Sequence, residues 1–199
     1  MDSYHRADAA VKLGPHRSAA EWDVAWEKRG PVGPRPSVSD PRRHLLVAVL
    51  AFVRAARSCP GVRRISLVGS LTTEKPIPKD ADVLVSIDAD MELDLLARIG
   101  RQLKGAGQRI NLGGDVFLAD ENGRYIGRIC RYRESFQRVL CRARSCGKRQ
   151  HLNDDLQIVT LSSALIASPP IDLWPIIIRR VPVPDDTEKL LLAELEKDR

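Results

Sequence analysis

Between Pro41 and Ala56, the apolar residues Leu45, Leu46, Val49, Phe52, Val53 and Ala56 recur every three or four positions. That is the period of one face of an α-helix. Ser39 or Asp40 offers a capping side chain, Pro41 suits the first turn, and "CPG" closes the helix. The pattern then changes. "RRISLVG", ending at Gly69, reads as a buried strand, and "DVLVSI", Asp82 to Ile87, as a second. Helical spacing returns from about Met91 to Lys104, with Leu93, Leu96, Ile99 and Leu103 inward and Asp88 or Asp90 as the cap. A third strand is predicted from Asp115 to Leu118, and Asn122-Gly123 predicts a hairpin turn into "YIGRICRY". "LQIVTL" reads as a further short strand. "DLWPIIIRRVPVP" is broken by prolines and is expected to cross the domain in extended form. A last helix is expected from about Asp186 to Lys197, with Leu191 and Leu195 among its apolar positions. Two helices, each followed by strands, with a terminal helix, predict an α/β or α+β domain: a mixed β-sheet with flanking helices.

Ahead of this core, Ser18 and Glu21 form a capping box for a short helix, Ser18 to Arg29, ended by Gly30-Pro31. Trp22 and Trp26 lie one turn apart on it. Their shared face can dock on the chain's own domain, the commoner case, or on a partner. The proline-rich run from Pro31 to Pro41 reads as a linker. The predicted organisation is an N-terminal segment, 1–40, a core, 41–132, and a C-terminal extension packing on the core, 133–199.

Composition narrows the function classes. At 199 residues, 43% hydrophobic and 29% charged, the chain has the make-up of one substantial globular domain. No apolar run approaches the ~18 to 20 residues of a membrane span, and "MDSYHRADAA" lacks the apolar core of a signal peptide. A cytoplasmic protein with no membrane partner is expected. The net charge of +6 points to polyanions among the partners. It is unevenly spread: nine Lys/Arg against one acid from Asn122 to Gln150, and six acids with no base from Asp80 to Asp94. The basic run, with Arg124, Arg128, Arg131, Arg133, Arg142 and Arg144 beside Tyr125 and Tyr132, could follow a phosphate backbone or form an ordinary solvated strand face. Cys130, Cys141, Cys146 and His151 are spaced C-x10-C-x4-C-x4-H, which lacks the tight Cys pair of structural zinc sites. Reduced thiols are the favoured reading of these residues and of Cys59, with zinc as the alternative.

The candidate chemistry lies in "LVGSLTTEKPIPKDADVLV". Asp80 and Asp82 are two apart, so in a strand they share one face. Asp115 opens the next predicted strand after Gly113-Gly114. If these strands are neighbours, three carboxylates converge and raise one another's pKa, and cations relieve that repulsion. Hard oxygen ligands suit Mg²⁺, held by one or two carboxylates plus substrate phosphates. Gly69 lets backbone approach a phosphate, Ser70 adds a hydroxyl and an N–H, and Lys75 and Lys79 lie in the loop between.

A strand ending in Gly-Ser, a ten-residue gap, Asp-x-Asp on the next strand and a third strand aspartate resembles the nucleotidyltransferase superfamily, with its DNA polymerase beta-like fold. The likeness covers roughly residues 45 to 132 and is nearest the minimal nucleotidyltransferases of bacteria and archaea, several of which act in toxin–antitoxin pairs. The resemblance implies that Asp80, Asp82 and Asp115 hold two Mg²⁺ or Mn²⁺ ions. It also implies that Asp115 serves as base toward an acceptor hydroxyl, and that Gly69 and Ser70 hold the phosphates of an NTP such as ATP. Many minimal members carry an arginine soon after Gly-Ser. Here "LTTEK" leaves that task to Lys75 or another residue, and Lys79 stands where serine usually precedes the first acid. The expected function is metal-dependent transfer of an NMP from an NTP to a hydroxyl of a protein, an RNA or a small molecule. Two other readings are a catalytically idle nucleotidyltransferase fold that binds a toxin-like protein partner as an antitoxin, and an RNA-binding module centred on the arginine run.

Overall fold

In the computed structural model, which describes residues 40–130, 151–153 and 165–199, the first element is helix α1, Pro41–Ala56. Asp40 is its cap: a carboxylate oxygen accepts from the Arg43 N–H at 2.9 Å, replacing an intrahelical partner that the first turn lacks. All six apolar positions expected to face inward are buried. Strand β1, Val62–Val68, and strand β2, Asp80–Ile87, follow, joined by a 3₁₀ turn, Gly69–Thr72, and a loop. Helix α2 spans Asp94–Gln108 and buries Leu96, Ile99 and Leu103, with Leu93 buried just before it. Neither Asp88 nor Asp90 caps it. The residue before it is Leu93, with no side-chain cap, because the helix starts at Asp94, well past Asp88 and Asp90; the Asp88 oxygens accept from Arg63 instead, at 2.5 and 2.8 Å. Asp94, inside the first turn, supplies the negative charge that the helix dipole favours there.

Strands β3, Gly113–Ala119, β4, Tyr125–Ile129, β5, Leu152–Asn153, and β6, Ile171–Trp174, complete one six-stranded sheet in the order β5-β4-β3-β2-β1-β6. The β3–β4 turn is the expected one: Gly123 has φ +80°, and an Asp120 carboxylate oxygen accepts from the N–H groups of Asn122 and Arg124. β2 and β3 are parallel and the other pairs antiparallel, so the sheet is mixed. A parallel pair needs a crossover, and α2 provides it.

Alternation along β2 sends Ala81, Val83, Val85 and Ile87, all 0% exposed, to the face covered by helices. Ile65 and Leu67 of β1 pair with Val85 and Val83 and join that face. The C-terminal helix packs on α1. It consists of an α turn, Asp185–Thr187, a π-helical stretch, Glu188–Leu192, and an α segment, Ala193–Lys197, together called α3. It buries Leu191, Leu192 and Leu195. Burying a leucine contributes about 1.5–3 kcal/mol, so these three anchor the end of the chain firmly.

Two further expectations change. The proline-broken run is not merely extended: Ile171–Trp174 is a sheet strand on the outer side of β1, and Ile178 turns back to bridge Asp172. Residues 171–197 are therefore part of the core fold, not an addition to it. The predicted strands also gain residues, since cross-strand bonding starts β2 at Asp80 and β3 at Gly113. The helix expected from Ser18 to Arg29, the linker, "LQIVTL" and the basic stretch after Cys130 lie outside the described residues. Among the described residues, no helix is long and apolar enough to cross a membrane.

Candidate functional site

Asp80 and Asp82 occupy alternate positions of β2, on the sheet face opposite Ala81 and Val83. The parallel register sets Asp80 against Gly113, and Asp82 against Asp115. All three carboxylates therefore belong to one face at the start of two neighbouring strands. Asp82 is 8% exposed, while Asp80 and Asp115 are half-buried. Burial, then the charges of Asp80 and Asp115, push the Asp82 carboxyl up from 3.8 to about 7.

Glycines make room for this arrangement. A Cβ on Gly113 would lie 1.9 Å from Asp80 Oδ1, so the carboxylate occupies the space that any side chain there would need. On the far side of β2, Val68 pairs with Asp82, and Gly69 follows with φ +73°. A Cβ on Gly69 would lie 2.8 Å from Asp82 Oδ2. Backbone thus passes close to a carboxylate on both sides of β2.

The turn after Gly69 is held by its own threonines. Thr72 Oγ1 donates to Gly69 O at 2.8 Å and Thr73 Oγ1 to Ser70 O at 3.0 Å. Ser70 is half-buried beside the carboxylates' end of β1. Lys75 and Lys79 are exposed, and among the described residues neither side chain pairs with an acid. The Lys79 carbonyl accepts from the Gly113 N–H at 2.9 Å, which ties the end of the loop to the start of β3.

Two participants were not assigned these places from sequence. Arg128 of β4 pairs across the sheet with Phe117, and its guanidinium stands 3.8 Å from Asp115 Oδ2. In the sequence it is one arginine of a basic run; only the β3–β4 register marks it out. Arg42, in the first turn of α1, donates to the carbonyls of Thr73 and Lys75 at 2.9 and 2.8 Å. A helix-face arginine carries no signal of partners more than thirty residues away.

The remaining candidates separate. Cys59 is buried, and desolvation followed by the Asp94 charge raises its thiol pKa. The buried Cys130 and His151 are adjacent through a backbone bond, Cys130 N–H to His151 O, at 2.7 Å. Cys141 and Cys146 lie outside the described residues, as do Arg131, Tyr132, Arg133, Arg142 and Arg144. Arg124 is exposed, and Tyr125 packs its ring at 54° to Phe117. Among the described residues, no group of three His, Cys, Asp or Glu side chains is drawn together tightly enough to hold a metal ion by itself. The donor set nevertheless suits a hard divalent cation: three carboxylates on one face, one with raised proton affinity, beside glycine-lined backbone. Mg²⁺ needs only one or two carboxylates when phosphates and water complete its shell.

A family model matches residues 7–152, and the chain belongs to that family, DUF6932, described as a family of unknown function. Neither the curated proteins nor the solved structures include a match to the chain.

Proposed function

We propose that this chain is a metal-dependent nucleotidyltransferase, moving an NMP from an NTP to an acceptor hydroxyl on a protein, an RNA or a small molecule. The observation that carries the proposal is the register Asp82 to Asp115 across parallel strands, with Asp80 on the same face and a Gly-Ser turn beyond β1. The raised proton affinity of Asp82 supports it: burial first, then the charges of Asp80 and Asp115, disfavour its ionised form, and a bound cation would favour it. Asp80, Asp82 and Asp115 would hold Mg²⁺ or Mn²⁺, which supplies charge neutralisation of the triphosphate and of the departing pyrophosphate. The Gly69–Ser70 turn offers a backbone that phosphate oxygens can approach, with Lys75 and Lys79 as nearby cations. Asp115 accepts the proton of the acceptor hydroxyl. A new O–P bond forms at the α-phosphorus, the α–β anhydride bond breaks, and pyrophosphate leaves. An NTP substrate accords with a cytoplasmic protein.

One observation favours a second reading. Arg128 stands beside Asp115 and could occupy the charge that a metal would otherwise balance. The fold would then act as an idle scaffold that binds a partner. The test is incubation with each α-labelled NTP, Mg²⁺ and host-cell extract, beside the Asp80→Asn/Asp82→Asn double variant. Label on RNA, on one protein or on a small molecule with the wild type alone supports transfer and identifies the acceptor class. Absence of both label and Mg-NTP binding overturns the enzyme reading, and partner capture equal in wild type and variant would then favour the scaffold.

A further inference from the structure

Arg42 is 10% exposed at its side chain, a cost for a cation unless every donor is used. Nε and Nη2 donate to the two oxygens of Asp186, at 2.5 and 2.9 Å. Nη1 donates to Thr73 O and Lys75 O, and Nη2 also reaches Thr187 Oγ1 at 3.4 Å. Thr187 Oγ1 in turn donates to Leu71 O at 3.1 Å. Arg42 is thus pinned by two residues of α3. Together they grip three alternate carbonyls, at 71, 73 and 75, between the Gly-Ser turn and Asp80.

Stability alone is a poor account of this network. A cation in the first turn of α1 faces the positive end of the helix dipole. An apolar pair of similar volume would join α1 to α3 at less desolvation cost. What a guanidinium adds is reach, through a planar fork that bridges a carboxylate and two loop carbonyls at once. The loop needs such a partner. Pro76 and Pro78 have no N–H to give, and no residue from Thr73 to Lys79 belongs to a strand. The grip is on backbone, so the Lys75 side chain stays exposed while its main chain is held.

We infer that Arg42 is a positioning residue, which Asp186 and Thr187 orient so that it sets the 71–75 segment, and with it Lys75, for the phosphates of the nucleotide. This rests on the nucleotidyltransferase reading. The C-terminal helix then governs NTP affinity through Arg42, without touching the nucleotide.

The experiment uses the full chain and the variants Asp186→Asn, Arg42→Lys and Thr187→Val. Three readouts are taken: Mg-NTP binding by calorimetry with each of the four nucleotides, Mn²⁺ binding without nucleotide by electron paramagnetic resonance, and amide hydrogen exchange. Loss of a charge-assisted bond is expected to weaken the nucleotide that the wild type prefers about tenfold in Asp186→Asn and Arg42→Lys. Thr187→Val, which keeps its volume, is expected to act in the same direction by a smaller factor. Mn²⁺ affinity should stay within about twofold, since Asp80, Asp82 and Asp115 lie on β2 and β3, outside the segment that Arg42 and Thr187 grip. Exchange should quicken at 71–75 and not in β2 or β3. Unchanged nucleotide affinity, or equal loss of nucleotide and Mn²⁺ affinity, overturns the inference. If the wild type binds no nucleotide, the reading of the site falls. Exchange then judges the clamp alone: unchanged exchange at 71–75 overturns it too, and acceleration confined there upholds its hold on the loop.

Discussion

Replacing Asp82 with Asn should make the metal-free protein more stable at pH 8 while removing a ligand of the proposed metal site. Asp82 is buried, and its carboxyl holds its proton up to about pH 7, against 3.8 in a free chain. The folded state therefore binds a proton that the unfolded state releases between these values. The stability linked to Asp82 is fully present below about pH 4. It is lost as pH rises through about 7, and the loss is constant above that. The gap between 3.8 and about 7, at about 1.4 kcal/mol per pH unit, corresponds to roughly 4 kcal/mol. Asn does not titrate and escapes this loss. Its buried amide forfeits about 1–3 kcal/mol where its hydrogen bonds go unmade. A net gain of about 2 kcal/mol at pH 8 remains, or roughly 4–8 °C in Tm for a domain of this size. The assay is thermal unfolding in chelator at pH 5 and pH 8. At pH 5 the variant should be no more stable than the wild type. Adding Mn²⁺ at pH 8 should raise the wild-type Tm and leave the variant unmoved. A difference between the proteins that is the same at both pH values would refute the argument, since it would show that charge on Asp82 is not what strains the fold.

Other substitutions probe separate links. Gly113→Ala puts a methyl where Asp80 Oδ1 now lies and should lower Mn²⁺ affinity about tenfold by resonance titration, for a stability loss of about 1–3 kcal/mol. Arg128→Gln removes the cation 3.8 Å from Asp115 and should tighten Mn²⁺ binding several-fold; weaker binding would show that the arginine supports the site instead of competing with metal. Leu192→Ala, at a position 0% exposed between α3 and α1, should cost about 2–5 kcal/mol in urea unfolding.

The parts of this molecule that were legible in sequence are those decided by local periodicity. The face of α1 from Leu45 to Ala56 and that of α2 from Leu93 to Leu103 could be read because burial repeats with the helical turn. Asp80 and Asp82 could be placed together because a strand alternates. Their meeting with Asp115 depended on strand order, which no local pattern encodes; the parallel β2–β3 register supplied it. Arg42 was illegible for the same reason, its carboxylate partner lying 144 residues away. β6 was obscured by the prolines and isoleucines around it, which make a short edge strand resemble an extended crossing. The cap of α2 was misread because the helix starts at Asp94, beyond the reach of Asp88 and Asp90.

The boundary at which the family model stops, residue 152, falls inside the sheet's own architecture. A fragment trimmed there would lose β6 and α3. The outer side of β1 would then present bare N–H and C=O groups, a template for pairing with another molecule. The apolar face of α1, now shared with Leu191, Leu192 and Leu195, would be laid open beside it. Expressed alone, such a fragment should collect in inclusion bodies. Anyone dissecting this family by its recognised segment would then mistake a severed fold for an insoluble protein.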